Sequence, residues 1–202
     1  MKTIVYAHPW EGSFNHAILT TITNDFKAKK EDFQVIDLYQ DGFNPTYSAE
    51  ELRLFSKGET PYQLVKEYQE KLSQTTELIF IFPVWWFDLP AILKGFIEKV
   101  MLNGFGYSED ERGNLTGLLT NIQKTTVITT STADKEYLET EGGNAIQGVF
   151  INRTLADLGI KNEHTKWIPF GRVNLTTDEN RKLFLEELPQ KIYGGFKTSF
   201  QN

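Results

Sequence analysis

The run Phe82-Pro83-Val84-Trp85-Trp86-Phe87-Asp88-Leu89-Pro90 sets three consecutive aromatics between an apolar stretch and an amphipathic one. Large rings on a strand-to-helix turn tend to face a crevice, where they stack on a flat, conjugated ligand. A second segment, His8-Pro9-Trp10-Glu11-Gly12-Ser13-Phe14-Asn15-His16, carries the residue types that hold an anion. Ser13 is a good helix N-cap, and the free backbone N–H groups beyond it attract phosphate. The Ser13, Asn15 and His8 side chains can add donors. A third segment, Ile128-Thr129-Thr130-Ser131-Thr132, offers amides and hydroxyls to the polar edge of a heterocycle. Each segment alone has a plainer reading, as packing, a helix cap or a polar turn.

Strand-like and helix-like patterns alternate along the chain, as in βα units on a parallel sheet. Strands are expected at Thr3 to Ala7, Phe33 to Leu38, Leu78 to Phe82, Thr125 to Thr130 and Lys166 to Phe170. Helices are expected at Phe14 to Phe26, Pro90 to Met101, Ala145 to Leu158 (ended by Gly159) and Asp178 to about Ile192. Two short helices precede the third strand. Ser48 with Glu51 reads as a capping box for the first, and Thr60 with Gln63 as one for the second, with Pro61 at its first helical position. Thr176 and Glu179 read as the capping pair of the last helix, and Asn103 to about Asn121 as a loop. These units predict an α/β, flavodoxin-like three-layer sandwich: a five-stranded parallel sheet in the order 2-1-3-4-5, with helices on both faces. One domain spans residues 1–202, with a C-terminal tail from about residue 193. In such a sheet, the three chemical segments meet beyond the carboxyl ends of the strands.

Composition narrows the classes. A net charge of −6 argues against nucleic-acid binding, and the basic cluster Lys27, Lys29 and Lys30 reads as a solvated helix end. With no cysteine, disulfides and thiol chemistry are excluded, and no metal site is expected. The start Met-Lys-Thr-Ile-Val-Tyr-Ala has no signal-like apolar stretch, and no run approaches the ~20 residues of a membrane span. A cytoplasmic protein is expected. Neither Gly-x-Gly-x-x-Gly nor Gly-x-x-x-x-Gly-Lys is present.

An anion pocket, an aromatic wall and a polar edge match by type the phosphate, tricycle and pyrimidine rim of flavin mononucleotide. The chain resembles the NAD(P)H:quinone oxidoreductase family with the flavodoxin-like fold (the DT-diaphorase relatives). The likeness runs from Met1 to about Phe170. It rests on His8-Pro9 with Ser13-Phe14-Asn15, on Phe82-Pro83 through Lys94-Gly95, and on Gly104-Phe105-Gly106-Tyr107.

The resemblance implies two-electron, ping-pong hydride transfer from NAD(P)H through a flavin to a quinone or similar flat acceptor, usually in a homodimer. FMN is expected, with FAD the alternative. Azo- or nitro-compound reduction is a second reading of the activity, and a regulatory subunit of a potassium-efflux system a third. By the same resemblance, His8, Ser13, Phe14, Asn15 and Ala17 hold the phosphate and ribityl side. Pro83, Val84, Trp85, Trp86 and Phe87 line the tricycle, and Thr129, Thr130 and Ser131 meet its polar edge. Tyr107 closes the substrate slot from the partner subunit, and Tyr137 stands where some relatives use a Tyr to manage charge. Two departures are visible. Ser131-Thr132 replace a Gly-Gly common in relatives, and Gly142-Gly143-Asn144 occupies the region where some relatives carry a His.

Overall fold

A computed structural model describes residues 1–195, so the end of the expected tail, residues 196–202, lies outside the described part. Five parallel strands form the sheet: β1 (Lys2–Tyr6), β2 (Phe33–Asp37), β3 (Glu77–Pro83), β6 (Lys124–Thr130) and β7 (Thr165–Phe170). Their order, β2-β1-β3-β6-β7, is the expected 2-1-3-4-5 arrangement. After Glu77, β3 is apolar from Leu78 to Phe82 because both of its faces are covered. Leu78, Phe80 and Phe82 point into one core layer, while Ile79 and Ile81 point into the other, the period-2 alternation of a strand. Helices α1 (Phe14–Lys29) and α6 (Asp178–Tyr193) cover the isoleucine side through Ile18, Ile22, Phe26, Phe184 and Leu188. On the phenylalanine side lie α3 (Gln63–Ser73), α4 (Ala91–Val100) and a π-helix, Ala145–Leu155, through Tyr68, Phe96 and Phe150.

Register brings the three candidate loops level. Tyr6 stands beside Ile81, and Pro83 beside Thr130. The ladder continues past the strand ends, with Ala7 N–H donating to Ile81 O at 3.0 Å and Val84 N–H to Thr130 O at 2.7 Å. The chain turns from β1 outward to β2 and then back to β3, so the switch point lies between β1 and β3.

Several expected details change. Helix α2 (Ala49–Phe55) has the Ser48–Glu51 capping box as read, with both reciprocal bonds formed. The Thr60–Gln63 box does not form. α3 starts at Gln63, after Tyr62 and not at Pro61, and Thr60 Oγ1 instead accepts from Tyr62 N–H at 3.2 Å. That bond, two residues on, is the local turn with which a threonine competes against helix initiation. The last helix is capped by Thr177, which accepts from Asn180 N–H at 3.2 Å, while Thr176 accepts only the Asn180 side chain. The expected loop from Asn103 contains a small antiparallel hairpin, β4 (Tyr107–Glu109) with β5 (Leu115–Gly117), whose three-residue strands are too short to show a period. A short helix, α5 (Lys135–Glu139), follows β6 and gave no helical pattern long enough to read.

The hairpin is docked by backbone contact. A Cβ added at Gly117 would lie 2.0 Å from the Gly159 amide nitrogen, so both chains approach as only glycine permits. Gly159 itself, at φ +91°, ends the helical segment as the sequence indicated. Gly117→Ala is therefore expected to cost about 1–3 kcal/mol through overpacking, read as a lower calorimetric Tm. An unchanged Tm would show that the hairpin shifts without cost.

Candidate active site

Ser13 adopts the extended N-cap conformation before α1, and its Oγ accepts from His16 N–H at 3.1 Å. The Phe14 and Asn15 N–H groups lie in the first helical turn, where no intrahelical acceptor exists, and are left for an anion. His8 Nδ1 accepts from Trp10 N–H at 3.1 Å, which places the ring proton on Nε2. Burial lowers the pKa of His8, so it serves as a neutral donor. Asn15 is buried, and its Nδ2 donates to Thr130 Oγ1 at 2.8 Å, tying the start of α1 to the end of β6. Asn15 Oδ1 is buried without a partner among the described residues.

The aromatic segment is a strained turn. Trp85 and Asp88 exchange backbone hydrogen bonds, both at 3.1 Å, around Trp86 at φ 50° and Phe87 at φ 64°. Two successive left-handed residues make a type I′ turn, a place normally taken by Asn-Gly. Bulky residues there carry backbone strain of about 1–3 kcal/mol each, and such strain clusters at ligand sites. Trp86 stands 94% exposed, while Trp85 and Phe87 are each 42% exposed. The Trp85 ring lies 6.1 Å from His8, and Phe87 lies 6.0 Å from Tyr137. A Cβ at Gly142 would sit 3.1 Å from the Phe87 ring, so a glycine there gives that ring its room.

At the end of β6 the hydroxyls of Thr129, Thr130 and Ser131 are already engaged. Thr129 Oγ1 accepts from Trp167 Nε1 at 2.8 Å, and Thr130 Oγ1 serves Asn15. Ser131 Oγ donates to Ala133 O at 2.6 Å. Neither Ser131 nor Thr132 has a positive φ, so this backbone does not require the Gly-Gly of relatives.

Val84, Trp86, Phe87, Ser131, Thr132 and Leu138 line a cavity of about 220 Å³ between the β3 and β6 loops. A wider cleft of about 460 Å³ continues from Phe87 past Tyr137 to Arg172 and Leu175. Together they reach the size of a small-molecule site. Sequence reasoning missed Leu138, Arg172 and Leu175, which lie in loops and a five-residue helix without any periodic signal.

Two expected residues stand apart. The Phe14 ring packs on Phe170 at 4.6 Å and on Phe184 at 6.0 Å, so its side chain belongs to the core and its backbone to the anion loop. Tyr107 lies away from the aromatic turn, in a groove of about 370 Å³ with Tyr47, Phe55, Ile97, Met101 and Leu158. Ala17 is half-buried in α1, and Pro83 is buried at the end of β3. Among the described residues, no cluster of His, Asp and Glu is suited to a metal ion.

A parallel sheet with a helix start and an aromatic turn at its switch point defines a class, and the chain belongs to it: it matches the flavodoxin-like fold family over residues 2–182. It is 32% identical over 189 residues to an uncharacterized NAD(P)H oxidoreductase of Haemophilus influenzae, covering 93% of this chain and 92% of that protein. It is 34% identical over 122 residues to NAD(P)H dehydrogenase [quinone] 1 of Rattus norvegicus, covering 52% of this chain and 44% of the rat protein. The solved NAD(P)H:quinone oxidoreductase of Methanothermobacter marburgensis superposes with a TM-score of 0.81 at 28% identity, over 94% of this chain and 95% of that one. A Bacillus anthracis azoreductase, at 16% identity and a TM-score of 0.72 over 95% of this chain and 97% of that one, shares the fold.

Proposed function

We propose that the protein is a flavin-dependent NAD(P)H:quinone oxidoreductase that uses FMN. The observation that carries this reading is the strained Trp86–Phe87 turn, which lines a cavity at the end of the sheet to which Asn15 ties the start of α1. The residues fit a flavin: Phe14 and Asn15 N–H with His8 Nε2–H for the phosphate, and Asn15 Oδ1 as a buried acceptor lacking a donor. Val84, Trp86 and Phe87 would border the tricycle on one side, with Ser131 and Thr132 on the other. When bound, the flavin supplies the two-electron hydride chemistry by which NAD(P)H would reduce an acceptor.

The chain's own part is to bind, orient and exclude water. The Asn15–Thr130 bond fixes the distance between phosphate loop and polar edge. Trp167 and Asn15 hold the Thr129 and Thr130 hydroxyls, and their backbone is paired on both sides in the sheet, so the flavin's edge would meet the backbone beyond Ser131, whose N–H donates to Phe170 O at 3.1 Å. Phe87 and Tyr137 would form the walls of an acceptor slot open enough for flat substrates. The apolar groove around Tyr107 supports a homodimer in which that tyrosine serves the partner's slot. Among the described residues, no helix is long and apolar enough to cross a membrane.

Purified protein is expected to be yellow, to release FMN identified by mass, and to oxidise NADH or NADPH rapidly with menadione. A colourless protein that neither FMN nor FAD reconstitutes would overturn the proposal. Turnover with azo dyes but not quinones would move it to azo reduction.

A further inference from the structure

Beyond the carboxyl ends of β1 and β2 lies a separate polar pocket of about 360 Å³. Tyr6, His8, Glu11, His16, Asp37 and Gln40 are among its lining residues, and no Lys or Arg is. Asp37 ends β2, and its Oδ1 accepts the Tyr39 and Gln40 N–H groups at 3.2 and 3.0 Å. Its Oδ2 accepts nothing from the described residues. Tyr6 is 2% exposed, and its hydroxyl forms no hydrogen bond of sound geometry, although Ser13 is near enough to favour its ionised form. Burial nevertheless pushes Tyr6 up to about 12, and burial lowers His8, so both remain neutral donors. Beside His8, whose Nε2–H is assigned to the flavin phosphate, the lining combines a free carboxylate oxygen with phenol and amide groups. That set matches hydroxyl groups and disfavours phosphate.

We propose that this pocket holds the vicinal diol of an adenosine ribose, with Asp37 Oδ2 accepting from its hydroxyls. A carboxylate beyond a strand end recognises ribose in this way in other dinucleotide-binding sheets. Adjacent strands lie about 4.8 Å apart, so the pocket sits roughly two strand spacings, about 10 Å, from the space between β3 and β6. An extended dinucleotide bridges such a distance, passing His8, which lines the pocket and whose ring lies 6.1 Å from that of Trp85 on the β3 loop. Taken with the proposed oxidoreductase function, on which this assignment of the source rests, the ribose is that of NADH. The carboxylates of Asp37 and Glu11 would repel the 2′-phosphate of NADPH. FAD carries the same diol and is the other source.

Calorimetric titration of the purified protein with AMP, 2′-deoxy-AMP and adenosine 2′,5′-bisphosphate tests the pocket directly. AMP is expected to bind about tenfold or more tightly than either analogue, the loss of one charge-assisted hydrogen bond. Asp37→Asn keeps the Oδ1 acceptor that caps Tyr39 and Gln40, and should erase that preference. In turnover, AMP should compete with NADH but not with a truncated dihydronicotinamide that lacks adenosine, which assigns the diol to the donor. FAD binding more tightly than FMN, with the advantage lost in Asp37→Asn, would assign it to the flavin. Equal affinity for the three nucleotides, no AMP binding, or an Asp37→Asn protein unchanged in both respects would overturn the proposal. The titrations need neither flavin nor turnover. A redox-inactive protein would therefore sink the proposed function, while AMP binding would still decide whether the pocket takes a ribose.

Discussion

Lys99→Met is expected to lower the unfolding free energy by about 3–5 kcal/mol, the cost of stranding one member of a buried ion pair. Lys99 and Glu51 meet at 2.9 Å with side chains only 3% and 4% exposed. Lys99 Nζ also donates to Asn44 O at 2.8 Å and Thr46 O at 3.0 Å, and Glu51 Oε2 accepts from Ser48 N–H at 2.7 Å. The pair thus pins residues 44–51 onto α4, and removing the cation leaves a carboxylate and two carbonyls without their partner. Urea unfolding of Lys99→Met, beside a Glu51→Leu/Lys99→Met double variant, measures this. The double variant should recover most of the loss, and a single variant as stable as wild type would show that the pair does not hold the segment. Acid should act through the same carboxyl. Burial pushes the Glu51 pKa up, but the Ser48 N–H and Lys99 outweigh it and hold the net value below the ordinary 4.5. A depressed folded value means that this stabilisation is complete above pH 4.5 and is lost as pH falls through the folded pKa. The acid-side slope of stability should shrink in the double variant.

Trp86→Gly should separate stability from activity. Trp86 is 94% exposed at φ 50°, so its ring contributes little packing while its backbone carries strain. Relief of about 1–3 kcal/mol, less the 0.5–1 kcal/mol that glycine's unfolded-state freedom costs, leaves a net gain of about 1 kcal/mol. Loss of a stacking face should lower kcat/KM for menadione about tenfold, equivalent to about 1.4 kcal/mol. Phe87→Gly should gain less stability, because Phe87 packs on Tyr137 and against Gly142. A destabilised Trp86→Gly would mean that the turn is not strained. Unchanged kinetics would remove the ring from the acceptor wall.

Much of the fold was legible because its signals are local. The apolar run from Leu78 to Phe82 in β3, the amphipathic helices and the Ser48–Glu51 box each state their own conformation. The errors lay where two local options compete: Thr60 closed a turn onto Tyr62 N–H instead of capping α3, and Thr176 left the cap of α6 to its neighbour Thr177. The hairpin at Tyr107 and the helix at Lys135 were too short to show a period. For the site, residue types pointed to loops that the sheet brings to one end, but not to the partners of each atom. Glu51 was visible as half of a capping box, while its bond to Lys99, 48 positions away, was not.

By itself, the sequence determined the alternation of strands and helices and marked three loops whose residue types suit a ligand, because hydrophobic period and capping chemistry act over a few residues. Tertiary structure alone decided what those groups are free to do. It committed Thr129 to Trp167 and Thr130 to Asn15, turned the Phe14 ring into the core, and bent Trp86 and Phe87 into left-handed backbone. The reason is that a hydrogen bond or a strained turn is set by what lies across space. Register between β1, β3 and β6 brought those groups together, and no short stretch of sequence encodes it.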